Sequence, residues 1–210
     1  MRPVLLALAA VALAAPTLAQ APAPIPGSRD TAAISGGTYT ADAGHTLVRW
    51  EVDHLGFSPY FGIFGDVTGT LVLDPKNPGA AKVSVTIPVS KVTTASVGLT
   101  SHLLKPAADG GKADFFGAAP ADATFVSTKV TPRGERATIV GNLTLNGVTR
   151  PVTLDAQFYG AGKMPANMGG KENVGFRAQG SLKRSDFGIG YGIPMVSDEV
   201  KLDIAAAFEK

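Results

Sequence analysis

Asn146-Gly147 separates two runs, 137–146 and 149–159, in which apolar and polar residues alternate. A two-residue type I′ turn needs positive φ at both central positions, and Asn-Gly is the dipeptide that best meets the need. A tight antiparallel hairpin is therefore predicted. The same period of two recurs along most of the chain, which restricts it to an antiparallel all-β design.

Eight strands are predicted, at 47–54, 63–74, 82–89, 124–130, 137–146, 149–159, 173–183 and 199–208. The third is the cleanest: Val83, Val85, Ile87 and Val89 face away from Lys82, Ser84 and Thr86. Between the third and fourth strands, Val97, Thr100, Leu103 and Leu104 are spaced as on one short helix, with Pro106 beyond its end. No βαβ rhythm is present, which argues against a parallel sheet. Sequential antiparallel strands with one helix favour an up-and-down barrel over a two-sheet sandwich.

The first nineteen residues read as an export signal: Arg2, an apolar core too short to span a bilayer, then Pro16-Thr17-Leu18-Ala19 as a small-residue cleavage site. This predicts a periplasmic or otherwise secreted protein. Residues 20–37 are rich in Ala, Pro, Ser and Gly and read as a flexible leader, with the barrel domain at 38–210. Absence of cysteine excludes disulfides, covalent c-type haem and thiolate metal sites. A net charge of +2 with no basic run gives no sign of nucleic-acid binding.

No constellation points to catalysis or to a metal. His45, His54 and His102 lack ligand spacing, and no Gly-x-Ser-x-Gly occurs. Asp53 and Asp66 occupy polar faces of their strands, where solvated carboxylates belong. Asp186-Phe187-Gly188 lacks the catalytic loop that would make it a kinase motif. Gly188 to Gly192 lacks the strand-glycine-helix order of a phosphate loop. Met164, Met168 and Met195 have no histidine companion for copper.

An eight-stranded barrel either fills its interior or holds one small ligand. Small residues on the strands (Gly65, Gly69, Gly141, Ala156, Ala178 and Gly180) imply missing volume, and hence an apolar cavity. Phe57, Tyr60, Phe61, Phe64, Phe115, Phe116, Phe187 and Tyr191 lie away from strand centres. They either plug the barrel ends or form a greasy rim. Candidate cavity or rim residues are Trp50, Val52, Phe57, Phe61, Phe116 and Phe125, with Leu143, Phe176 and Phe187. His54, Lys183 and Arg184 are candidates for a polar or anionic headgroup.

The ordered motifs resemble the YceI-like family, lipocalin-like polyisoprenoid-binding proteins of bacterial periplasms. They are Tyr39 with His45-Thr46, then Val52-Asp53-His54-Leu55-Gly56 and Phe64-Gly65-Asp66-Val67-Thr68-Gly69. Ser101-His102-Leu103-Leu104, Asp114-Phe115-Phe116 and Ala123-Thr124-Phe125-Val126-Ser127 follow. The stretch from Gly141 to Thr149 and Lys183-Arg184-Ser185-Asp186-Phe187-Gly188 complete the set. The resemblance implies an eight-stranded antiparallel lipocalin-like barrel, a bound polyisoprenoid or similar amphipathic lipid, no cofactor, transient membrane contact and, in many members, a homodimer. One departure stands out: 105–112 lengthens the link between helix and aromatic pair. Two rival readings remain, an enzyme using His54 with Asp53 or Asp66 on a prenyl or quinone-type substrate, and an accessory docking on a membrane redox partner.

Overall fold

The computed structural model describes residues 25–108 and 111–210; the predicted signal at 1–19 lies outside the described residues. Ten strands form one antiparallel sheet: β1 (Gly37–Ala41), β2 (Leu47–His54), β3 (Ser58–Phe64), β4 (Thr68–Leu73), β5 (Lys82–Ile87), β6 (Ala123–Arg133), β7 (Arg136–Leu145), β8 (Val148–Lys163), β9 (Glu172–Lys183) and β10 (Glu199–Glu209). Neighbours run β1-β4-β5-β6-β7-β8-β9-β10, and a β1–β10 pairing closes the ring.

The ring has eight staves because two of them are broken. β1 and β2 lie along the same edge of β10, at Ala41↔Phe208 and Leu47↔Ala205. Thr46 holds the break in place: its Oγ1 donates to Ala207 O at 2.9 Å and accepts from Ala207 N at 3.1 Å. β3 and β4 pair with β2 and β1 respectively, so they form the adjoining broken stave, with Asp66 at φ 54 in the kink. The predicted strand at 63–74 is thus two strands, and β1 and most of β3 went unforeseen. Short segments interrupted by loop residues carry too few alternations to register as strands.

Asn146 and Gly147 have φ 53 and 75, and Leu145 pairs with Val148, as a type I′ hairpin requires. The short helix α1 (Val97–Leu103) stands between β5 and β6, the third and fourth staves, where it was expected. Ser96 caps it by accepting from Leu99 N at 3.2 Å.

The turns fall at two ends. At one lie the β4–β5, β6–β7 and β8–β9 connections and the chain from 26 to 36. At the other lie the β2–β3 and β7–β8 hairpins, α1 and the β9–β10 connection. The second end is sealed. Val89, Phe187 and Ile189 are buried there, with Phe64, Phe115 and Phe116 packed against them.

Candidate functional site

The barrel encloses a cavity of about 420 Å³, within the range of small-molecule sites. Val83, Val85, Leu154, Ile204 and the alanines Ala156, Ala178 and Ala206 form part of its wall. Among the described residues, only four of the lining have polar side chains: Thr31, Thr46, Glu135 and Arg136. Thr46 spends its hydroxyl on Ala207, so the depth of the cavity offers a polar group no free side-chain partner.

The exposed members of the lining identify the opening. They are Thr31, Pro75, Pro78, Pro132, Gly134, Glu135 and Arg136, all at the end opposite the aromatic plug. The remaining lining residues are buried or half-buried. The cavity is therefore blind, with one mouth.

The chain ahead of β1, read from composition as flexible leader, crosses this mouth where the structure describes it. Ser28 exchanges backbone hydrogen bonds with Ala161 at 2.9 and 2.8 Å. Arg29 is ion-paired with Glu135 of the β6–β7 turn. Thr31 and Ile34 then form part of the cavity lining. Ser35 donates to Glu172 from its backbone N at 2.9 Å and from Oγ at 2.7 Å.

Glu172 also accepts from the fully buried Tyr39 hydroxyl, with Lys210 Nζ 3.8 Å away and lying 4.8 Å above the Tyr39 ring. Burial pushes the Tyr39 phenol up to about 12, and the adjoining carboxylate adds to that. Burial works against the ionised Glu172, but its donors and the Lys210 charge prevail and hold its pKa below the usual carboxylate value. This network ties the crossing segment, residues 28–35, which forms a strap over the mouth, to β1, β9 and Lys210.

Of the sequence candidates, Phe125, Leu143 and Phe176 line the cavity. Trp50, Val52, His54, Phe57, Phe61, Phe116, Arg184 and Phe187 do not. Trp50 lies over Gly62, where a Cβ would come within 2.7 Å of its Cε2, and its buried indole N–H has no acceptor among the described residues. Phe116 meets Phe64 edge-on at 5.9 Å, and Phe187 is 1% exposed, so both belong to the sealed end. His54 and Val52 sit toward the tip of the β2–β3 hairpin, with His54 exposed. Phe57 and Phe61 are exposed on that hairpin, and Arg49 stacks 4.5 Å from the Phe61 ring centre.

Arg184 is 6% exposed and serves the fold. Its Nε donates to Ser197 O, Nη1 to Ile189 O and Tyr191 O, and Nη2 to Val196 O, at 2.7–3.1 Å. Four of its five N–H groups are thus spent on the β9–β10 connection, far from the mouth. Sequence reasoning missed the mouth residues Thr31, Glu135 and Arg136, because polar residues in turns read as ordinary solvated loops.

The small-residue expectation divides in two. Ala156 and Ala178 do open space, whereas Gly141 and Gly180 admit neighbouring side chains, Phe125 and Leu154 respectively. Of the lengthened link, Lys112 lies at the sealed end, where it donates to Gly188 O.

The YceI-like domain model matches residues 39–208. Protein YceI of Salmonella arizonae is 43% identical over 162 residues, spanning 77% of this chain and 80% of that protein. A Campylobacter jejuni YceI protein superposes with a TM-score of 0.61 at 30% identity, covering 75% of this chain and 89% of its own. A polyisoprenoid binding domain from Saccharophagus degradans shares the fold at a TM-score of 0.55 and 15% identity, covering 81% and 97%. With a closed antiparallel barrel around a blind apolar cavity, and with these matches across nearly the whole described barrel, the chain belongs to the YceI-like family.

Proposed function

We propose that this protein binds and carries a polyisoprenoid or a similar long-chain amphiphile in the periplasm, the tail sheathed in the barrel. The observation that carries this reading is the cavity itself: about 420 Å³, blind, open at one end, and with polar side chains almost confined to that opening. Exposing a prenyl tail to water costs about 0.8 kcal/mol for each CH₂, so such a lipid needs an apolar sleeve to leave a bilayer. Transfer from bilayer to sleeve is hydrophobically near neutral, and confining the tail opposes it. That balance suits a carrier, which must release what it takes up.

The polyisoprenoid named for the Saccharophagus degradans domain supports the choice of ligand class through shared architecture. The export signal expected at 1–19 supports the compartment. The test is mass spectrometry of lipid extracted from protein purified out of its native compartment. A stoichiometric prenyl or comparable amphiphile is expected; its absence would end the reading.

A further inference from the structure

The geometry points to the strap as a lid: it lies across the mouth when closed and swings out from a fixed root at Ser35 to admit and release ligand. This rests on the carrier reading and adds how the sleeve opens.

A lid needs a firm root, a seat and a weak end. The root is Ser35, whose backbone N and Oγ both donate to Glu172 and whose Oγ also accepts from Lys210 at 2.5 Å. Gly36 follows where a Cβ would stand 2.9 Å from Pro75 Cδ, so the root cannot shift far.

The seat is built into β8. That strand runs on past its pairing with β7 at Arg136↔Gln157, and Ser28 takes the edge left over through Ala161. On either side of Ala161 the strand carries glycine. A Cβ at Gly162 would stand 2.1 Å from Pro26 O, and one at Gly160 3.1 Å from Ser28 O, so side chains there would keep the segment off its seat.

The weak end is the part that rests on this seat. From 25 to 35 only Ile34 is even half-buried, so little apolar surface holds the segment down. The Arg29–Glu135 pair joins side chains that are 57% and 46% exposed, and such pairs hold weakly in water. Thr31 and Ile34 line the cavity, so lifting this end removes part of the roof and widens the mouth. A segment with so few buried contacts opens at low cost, while the closed barrel stays intact.

The experiment follows entry and release of parinaric acid, a fluorescent polyene fatty acid, by stopped flow. Ser28→Cys with Ala161→Cys supplies a lock: the two residues exchange both backbone hydrogen bonds, which places their Cα atoms about 5.5 Å apart, within disulfide reach. The chain has no native cysteine, so the same protein can be read reduced and oxidised. Oxidation should slow entry and release together by about tenfold or more and leave the dissociation constant unchanged, because a gate alters rates and not end states. Arg29→Gln and Gly162→Ala should each speed both steps, Arg29→Gln by about two- to fivefold, the scale of one exposed ion pair. Equal rates in the oxidised and reduced protein would overturn the lid. So would unchanged rates in both single variants, which carry the test if the lock does not fold. A change of affinity without a change in entry rate would also overturn it, by making the strap a fixed wall. Failure of parinaric acid to bind the wild type would refute the carrier reading and the lid with it.

Discussion

The ring of Phe125 lies over Gly141 on the neighbouring strand, so close that a Cβ at Gly141 would stand 2.6 Å from Phe125 Cε2. Phe125 pairs with Leu143 in register, and its ring leans diagonally toward the residue two places along β7. A missing side chain on one strand thereby sets the position of a cavity wall on the next.

Gly141→Ala should push that ring off its rest position and into the cavity. The expected cost is about 1–3 kcal/mol, the usual penalty for overpacking, read from denaturant unfolding. A variant as stable as the wild type would show that the ring has free room to move.

Arg184→Met should destabilise the protein by about 3 kcal/mol, because four backbone carbonyls, one of them buried and three partly so, lose a common charged donor. Arg184→Lys should recover little, since an ammonium cannot reproduce a fork aimed at Ser197, Ile189, Tyr191 and Val196. Urea unfolding of both variants checks this. Lipid bound per folded molecule should stay the same, as Arg184 does not line the cavity.

Lys183 and Arg184 show why the site was only half legible. As adjacent letters they look equivalent, yet Lys183 is exposed at the end of β9 and Arg184 turns inward at the first residue of a 3-10 turn. Local alternation can be read directly, and it foresaw the hairpin at Asn146-Gly147, the helix at 97–103 and the apolar inner face. Ring closure depends on β1 meeting β10, where Ala41 pairs with Phe208 and Thr40 with Glu209 from the far end of the chain, which no local pattern encodes. Closure decides which turns share an end, and so it decides where the mouth is. The aromatic residues likewise announced an end of the barrel without saying whether it was shut.

Acid should loosen the strap. Glu172 has a folded-state pKa below its ordinary value of 4.5, so its stabilising contribution is present above that pH and is lost as pH falls through the lower, folded value. At the other extreme, the unfolded chain releases the Tyr39 proton near 10 while the folded protein keeps it to about 12, so stability falls as pH rises across that interval. Thermal unfolding from acid to alkaline pH should show both limbs. Glu172→Gln should flatten the acid limb, and Tyr39→Phe should remove the alkaline one.

Trp50→Phe should leave stability within about 1 kcal/mol of the wild type, since it removes some packing and an indole N–H that has no acceptor among the described residues. Trp50→Ala should cost about 3 kcal/mol, because the space over Gly62 would be left empty. Comparable losses in the two variants would mean that the N–H is paired in solution.

The most direct test compares the lipid content of the wild type with that of Ala178→Phe, using native mass spectrometry on protein from the same compartment. Ala178 faces the middle of the cavity, so a phenyl ring there should fill the sleeve and leave the fold standing. One amphiphile per wild-type chain and none in the variant is the expected result. Equal lipid content in both, or none in the wild type, would contradict a lipid-binding barrel.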